Sequence, residues 1–377
     1  MEPRLFPFWM AFAHAQSFSN TRKMEFLIDA VFTPGKELDV VMNEINAGSP
    51  VDFAFTGKES DGLIESLKNL PNYAFLAEEL VNNHISVISV MEPDYPRQLK
   101  RNLGKNAPVL LYCKGNSDLL KLGSIAIVGS RNCSQAALLF ADNIAKAGTE
   151  KKQVVVSGFA KGVDQQALNS TLAYHGQSII VLPQGILTYR SNTYYQYIVK
   201  GDVLVMSSYH PRTPWEVGLA MDRNKIIYGL ADEIYVAESD TKGGTWEGVH
   251  DGLRKGRKIF VRKPADGEVN ANGLLISKGA IPIDDTGLLA DITTDEPPHQ
   301  KKIVSDELIV EMVISLLTEQ KGKGLSSMEI IDILKLDRKP GSITAMLKKS
   351  SKLVSEKKGN TNLFRLAADV PVAGSLF

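Results

Sequence analysis

Five segments of the sequence carry the residue types that bind phosphate. They lie at 129–132, 157–164, 189–192, 223–225 and 241–245, and each contains Lys or Arg. Three of them also combine glycine with a small hydroxyl residue. Backbone N–H groups at glycine turns and helix N-termini, with a cation beside them, form anion sites. The candidate phosphate ligands are Gly129, Ser130, Arg131, Ser157, Gly158, Lys161, Arg190, Asn192, Arg223, Lys225 and Lys242.

Other chemistries have less support in the sequence. No G-x-G-x-x-G fingerprint or Walker lysine motif is present, which disfavours NAD and ATP chemistry. The six histidines are scattered, and no G-x-S-x-G segment precedes a helix. The two cysteines, Cys113 and Cys133, cannot form a disulfide scaffold, and no Cys/His cluster has zinc spacing. We therefore expect no catalytic residue, no metal and no cofactor.

The candidate ligands must be positioned by an α/β core. Short β-rich runs alternate with helix-length segments, and several are apolar throughout, as in strands buried on both faces of a parallel sheet. The runs are 85–90, 109–112, 125–128, 154–156, 179–182, 203–206, 234–236 and 259–261. They predict a Rossmann-like, doubly wound, mostly parallel sheet over 83–292. Four of the five segments follow a predicted strand, where such sheets bind ligands, and 223–225 lies on a helix.

Three further regions flank this core. Residues 1–82 have apolar residues at helical spacing, broken by Pro34-Gly35 and by Gly48-Ser-Pro50, and we predict a helical module there. A polar stretch at 293–303 is typical of a linker. Residues 304–367 are predicted to fold separately, and 368–377 form a tail.

The order of elements over 304–367 is that of a winged helix. Helices are predicted at 306–320, 326–334 and 341–351, with Ser326 capping the second and Pro340 opening the third. A hairpin follows at 353–366. Residues 301–367 hold thirteen Lys and Arg against eight Asp and Glu, an excess of five positive charges.

Composition sets outer limits. The 377 residues are 44% hydrophobic and 23% charged, which excludes a disordered or fibrous chain. Because 43 Lys and Arg balance 43 Asp and Glu, any polyanion site depends on local charge. No run approaches the ~20 apolar residues that span a bilayer. Residues 5–13 lack the positive start of a secretory signal, and we expect a buried helix there and a cytoplasmic protein.

Six motifs in order give the sequence a family resemblance. They are Gly-Ser-Arg at 129–131, Ser-Gly-x-Ala-x-Gly-x-Asp at 157–164, Arg-Asn-Lys-Ile-Ile-Tyr-Gly-Leu at 223–230, Val-Ala-Glu at 236–238, Gly-Arg-Lys-Ile-Phe at 256–260 and Asn-Gly-Leu-Leu-Ile-Ser-Lys-Gly-Ala at 272–280. The sequence resembles the DNA-processing protein A (DprA/Smf) family over about 85–283.

The resemblance implies a function and a set of contacts. The family binds single-stranded DNA without catalysis, forms a homodimer through its core and hands DNA to the recombinase RecA. By analogy Arg131, 157–161, Arg190 and Asn192 would line the DNA pocket, and 223–225 matches the family's Arg-Asn-Arg helix. Stacking platforms for unpaired bases would be Tyr189, Tyr194, Tyr195 and Trp246. We place Arg131 at the start of the helix that follows its strand; the competing role is an ion pair with a carboxylate such as Asp164.

Departures from the family pattern leave alternatives open. Leu168 stands where the family has His, and its Ser-Gly-Ser loop is replaced by 241–245. DprA-like proteins also act as antitoxins or regulators in phage defence, so the partner could be a toxin in place of RecA. Arg223, Lys225 and residues 243–247 also resemble a motif of the phosphoribohydrolases in the wider superfamily. Glu247, however, lies one residue earlier than the glutamate of that motif.

Overall fold

The computed structural model describes residues 1–16, 18–190, 193–288, 306–319, 324–334, 339–358 and 361–367. The chain forms two compact units, Met1–Ile292 and Thr293–Phe377. No helix among the described residues is long and apolar enough to cross a membrane.

The first unit opens with a helical region, as predicted. Its helices are α1 Phe6–His14, α2 Asn20–Phe26, α3 Leu38–Asn46, α4 Gly57–Lys68 and α5 Leu70–Asn82, with a π-helix at Leu27–Phe32. Thr56 starts α4 with a capping box, because its hydroxyl accepts the Glu59 N–H and its own N–H donates to the Glu59 carboxylate. The buried apolar side chains of these helices belong to the same hydrophobic cluster as one face of the sheet.

A nine-stranded sheet forms the centre of this unit. Its strands are β1 Ile85–Ser89, β2 Leu110–Gly115, β3 Ser124–Val128, β4 Val154–Ser157, β5 Ser178–Val181, β6 Val203–Ser207, β7 Glu233–Val236, β8 Ile259–Arg262 and β9 Ile281–Ile283. They lie in the order β1-β2-β6-β5-β4-β3-β7-β8-β9, parallel from β6 to β9 and antiparallel at β1 and β2. The predicted doubly wound, mostly parallel sheet is confirmed.

Eight of the nine strands were predicted from their apolar runs, and β9 was missed. It has three residues, pairs only with β8 at the edge of the sheet and contains Pro282. Proline lacks the N–H that a ladder needs, so it is tolerated at edges, and a short run that contains it gives no clear strand signal.

Helices cover both faces of the sheet, which explains the uninterrupted apolar strands. They are α6 Arg97–Leu103, α7 Gln135–Glu150, α8 Val163–Ala173, α9 Tyr195–Lys200, α10 Val217–Asp222, α11 Asn224–Leu230, α12 Gly244–Arg254 and α13 Asn272–Ser277. In β3, Ile125 and Ile127 join a cluster with Phe140 of α7, whereas Ala126 and Val128 belong to the cluster shared with the N-terminal helices. Strand β3 thus buries alternate side chains in two different cores.

The strand order reverses between β3 and β7. From β3 the chain adds β4, β5 and β6 on one side, and β7, β8 and β9 on the other. Just beyond the carboxyl ends of the two strands, the Ala237 N–H donates to the Val128 carbonyl at 3.0 Å and the Ser130 N–H to the Glu238 carbonyl at 2.9 Å. A crevice opens at such a switch in doubly wound folds.

The second unit holds three helices and a small sheet. Its elements are α14 Asp306–Glu319, β10 Leu325–Ser326, α15 Ser327–Leu334, α16 Pro340–Leu347, β11 Leu353–Lys358 and β12 Thr361–Leu366. Ser326 accepts the Glu329 N–H and so caps α15, and Pro340 opens α16, which ends four residues before the predicted Ser351. The winged-helix assignment stays a prediction. The predicted linker at 293–303 and the tail lie outside the described residues.

Truncation tests whether the two units fold independently. The second unit has its own hydrophobic cluster, which includes Ile309, Leu347 and Phe364, so a chain ending at Ile292 should keep a cooperative melting transition. A chain ending at Lys255 loses β8, β9 and α13 and should not melt cooperatively. Calorimetry on both checks this, and loss of the transition in the longer fragment would contradict it.

Candidate functional site

A cleft of about 590 Å³ lies at the switch in strand order. Loops after β3, β4 and β7 form its walls, together with α10 and α11. It brings together six of the eleven predicted ligands, namely Gly129, Ser130, Arg131, Lys161, Arg223 and Lys242. The structure places these six residues around one cleft, and their role as phosphate ligands stays a prediction.

Three of the six are exposed cations from three different loops. Arg131 follows β3, Lys161 follows β4 and Lys242 follows β7. Within the described part of the chain, none of the three side chains has a hydrogen bond or ion pair, so Arg131 does not pair with Asp164. Their charges are therefore free to meet an anion in the cleft.

The N-terminus of α12 adds backbone N–H donors to the cleft, in addition to the three cationic side chains. Gly243 has a φ of +96°, which suits glycine, and Gly244 and Thr245 of the first turn line the cleft. A Cβ on Gly244 would come within 2.5 Å of the Asn224 amide nitrogen. The glycine pair thus lets the chain turn sharply and leaves the first N–H groups of an 11-residue helix without intrahelical partners.

The position predicted for Arg131 is wrong, because helix α7 starts later than expected. Helix α7 begins at Gln135 with Ser134 as its cap, so Arg131 lies in the preceding loop. The Ser134 N–H donates to the Glu238 carboxylate at 3.2 Å and its hydroxyl donates at 2.5 Å. The carboxylate of Glu238 therefore lies at the N-terminus of α7, where the prediction had placed Arg131 and a bound anion.

Ser157, Gly158 and Arg223 form the floor beneath the cleft. Arg223 is only 3% exposed, and its Nη1 donates to the Val181 carbonyl at 2.8 Å. A Cβ on Gly158 would overlap the Arg223 guanidinium, so the glycine makes room for it. The Ser157 hydroxyl donates to the Asp164 carbonyl at 3.1 Å. Ser157 and Gly158 support the site from below and do not line it.

Two carboxylates accompany the cations. Asp164 is buried, and its Oδ2 accepts the Gly158 N–H at 3.1 Å. Burial raises the pKa of Asp164 to about 6, although the nearby Arg223 guanidinium acts in the opposite direction. The exposed Asp240 accepts a hydrogen bond from the Ser130 hydroxyl at 3.3 Å. The cleft thus carries four cationic side chains and two acidic ones.

The remaining predicted ligands lie elsewhere. Lys225 forms an ion pair with Asp222 at 2.5 Å and lines a neighbouring hollow. Arg190 is exposed and is not among the residues that line the cleft. Asn192 lies outside the described residues.

The predicted stacking platforms are only partly available. Tyr194 is 5% exposed and its hydroxyl donates to Asn169 at 2.8 Å, so the prediction for Tyr194 is wrong. Trp246 and Tyr189 are half-buried, and the Trp246 ring lies 4.3 Å from that of His250. Tyr195 is 59% exposed and keeps a free ring face.

Sequence reasoning missed several residues that line the cleft. Asn132, Asn224 and Thr245 line the cleft and lie within the segments named above. Their position next to glycine and cationic residues could have identified them. Val217 and Met221 of α10 also line the cleft, and no sequence pattern pointed to them.

The fold and the cleft define a class of protein. The doubly wound sheet places the chain among Rossmann-like proteins, and exposed cations and a helix N-terminus at the switch point are features of an anion site. Residues 86–292, more than half of the chain, match the family of DNA recombination-mediator protein A. The chain belongs to this family, as the motifs of the sequence indicated.

Individual relatives agree with this assignment. The chain is 35% identical over 175 residues to the DNA processing protein DprA of Streptococcus pneumoniae. The aligned segment covers 46% of this chain and 61% of the relative. It is 28% identical over 179 residues to DprA of Bacillus subtilis, or 47% of this chain and 60% of the relative. The chain thus spans about 60% of the length of these curated relatives. The X-ray structure of the S. pneumoniae DprA matches 74% of this chain and 95% of that one, with a TM-score of 0.61 and 25% identity.

Gly158→Ala tests the packing of the floor. The added methyl group would displace Arg223 from the Val181 carbonyl, so the free energy of unfolding should fall by about 1–3 kcal/mol. Gly218→Ala is the matched control, because nothing lies within 4 Å of a Cβ there and the residue is in α10. Urea unfolding measures both variants. Equal stability of the two would show that Gly158 does not make room for Arg223.

Asp164→Asn tests the buried carboxyl group. Its folded pKa of about 6 lies above the ~3.9 of an unfolded aspartate, so the folded state keeps a proton that the unfolded state has released between about pH 4 and 6. Wild-type stability must therefore lose a contribution as pH rises through this window. The melting temperature of Asp164→Asn minus that of the wild type should increase from pH 4 to 6 and level off above 7. A difference independent of pH would contradict this.

Proposed function

We propose that this chain binds single-stranded DNA in the cleft, protects it and delivers it to a recombinase, without a catalytic step of its own. The observation that carries the proposal is the convergence of Arg131, Lys161 and Lys242 from three loops onto the open N-terminus of α12. Family membership supports DNA as the polyanion. A homodimer, and RecA as partner, stay predictions.

The shape and position of the cleft favour an unpaired strand. It is a recess at the carboxyl ends of the parallel strands, and its walls are three loops and two short helices. A flexible single strand can bend its phosphates into such a recess, whereas a stiff duplex offers its phosphates only along a regular cylinder. Bases that leave the cleft can stack on exposed rings such as Tyr195, and stacking requires that they are unpaired.

The arrangement of acidic groups supports binding without hydrolysis. Glu247, whose carboxylate the phosphoribohydrolase alternative places at a ribose, lines the neighbouring hollow and is not among the residues that line the cleft. Asp164 is buried and holds the N–H of Gly158. No histidine is among the residues that line the described cleft.

Salt dependence tests the contact with phosphates. Each neutralised phosphate of a single strand contributes about 0.7 to the slope of log affinity against log salt, so three cations give a slope of about −2. A single strand should also bind more tightly than the matching duplex at physiological salt. Fluorescence anisotropy with labelled oligonucleotides measures the salt slope and the two affinities. Equal affinity for the single strand and the duplex would contradict the proposal.

Arg131→Ala identifies the residue that grips the strand. A guanidinium can hold a phosphate by two parallel hydrogen bonds, which a lysine cannot reproduce. The variant should bind on the order of tenfold to a hundredfold more weakly, and its salt slope should be shallower by about 0.7. Lys151→Ala is the matched control, because this exposed lysine precedes β4 at the opposite edge of the sheet. A folded Arg131→Ala protein with wild-type affinity would remove Arg131 from the site.

A further inference from the structure

A second cavity, of about 230 Å³, adjoins the cleft. It lies between α6, α11 and α12, and we call it the α12 hollow. Met221, Asn224, Tyr228 and Gly244 line both the α12 hollow and the cleft, so the two cavities share a wall. The volume is below the ~300 Å³ of the smallest drug-sized pockets, which limits an occupant to a group about as large as one heterocycle.

The Tyr228 hydroxyl group is the unusual feature of this hollow. Tyr228 is 6% exposed, and its hydroxyl has no hydrogen-bond partner among the described residues. A Cβ on Gly248 of α12 would lie 2.8 Å from the Tyr228 Cζ and 3.0 Å from the hydroxyl oxygen, so this glycine makes room for the tyrosine against α12. Burying an unpaired hydroxyl costs stability, and a protein that retains one has a donor and acceptor ready for a ligand.

Two further polar side chains of the α12 hollow have no partner among the described residues. Asn224 and Glu247 have no side-chain hydrogen bond or ion pair within the described residues. Other charged residues of the hollow already form ion pairs, Lys225 with Asp222 and Asp251 with Lys255. The hollow therefore presents one hydroxyl, one amide and one carboxylate, a set that matches the mixed donors and acceptors of a base edge.

We propose that the α12 hollow takes one extruded base of the strand bound in the cleft and reads its edge through Tyr228, Asn224 and Glu247. The inference rests on the proposed function, because the phosphates in the cleft bring the base to the shared wall. Extruding a base from a single strand costs little, since it has no pairing partner to leave. The Glu247 carboxylate can only accept hydrogen bonds, so it favours an exocyclic amino group, which cytosine has, over the O4 acceptor of thymine.

The base preference is measured with oligomers of about twelve cytidines or thymidines, a length within the site sizes of single-strand binders. Both are weakly stacked pyrimidine strands with the same number of phosphates. The wild-type chain should bind the cytosine strand about two- to tenfold more tightly, as expected for one added hydrogen bond. Glu247→Gln offers an amide that suits either base and should bring the two affinities within twofold.

Tyr228→Phe separates a ligand contact from a structural role. It removes one oxygen atom that has no described protein partner, so the melting temperature should stay equal or rise while cytosine-strand affinity falls two- to tenfold. The salt slope should not change, because no phosphate contact is lost. Wild-type affinity in Tyr228→Phe, as expected if only a water molecule occupies the hollow, would overturn the inference.

The outcomes distinguish failure of the inference from failure of the proposed function. If salt-dependent binding persists and Arg131→Ala weakens it, but Tyr228→Phe and the base identity have no effect, the base contact is absent and the cleft assignment stands. If the wild-type chain shows no salt-dependent binding to either strand, both proposals are wrong.

Discussion

The candidate site depends on one buried guanidinium. Arg223 forms part of the cleft floor, packs on the backbone of Gly158 and donates to the carbonyl of Val181 at the end of β5. Burying a charge is costly, and here the Val181 carbonyl and the nearby Asp164 offset part of that cost, while the Arg223 Nε has no hydrogen-bond partner among the described residues. The same contacts hold the ends of β4 and β5 and the starts of α8 and α11 together, so the walls of the cleft keep their relative positions.

The loop after β7 is fixed at its start and free at its end. Asn272 accepts the Ser239 N–H at 3.0 Å and donates to the Ala237 carbonyl at 3.0 Å, and the buried Arg262 donates to that carbonyl at 3.1 Å. The Ala237 carbonyl and the Ser239 N–H are thus used by the fold. A few residues later, Lys242 has no described partner, and the first turn of α12 is open. The change from satisfied to unsatisfied groups marks where the scaffold ends and the binding surface begins.

The sequence predicted the central sheet apart from β9, but it did not predict the role of each charge. Apolar runs predicted eight strands because most of these strands are buried on both faces. Glycine and cations after the strands located the cleft. The burial of Arg223 and the hydrogen bonds between Ser134 and the Glu238 carboxylate could not be predicted. Each depends on residues that are distant in sequence or on which face of a short helix meets the core, and neither has a local signature.

The central claim is that the phosphates of a single strand pass between the three loops of the cleft. Lysine footprinting tests it most directly: the chain is acylated with and without a saturating single strand, and the modified lysines are identified by mass spectrometry. The account predicts that Lys161 and Lys242 lose reactivity while Lys151 and Lys152, at the opposite edge of the sheet, keep theirs. Full reactivity of Lys161 and Lys242 in the saturated complex, with protection confined to other lysines, would contradict it.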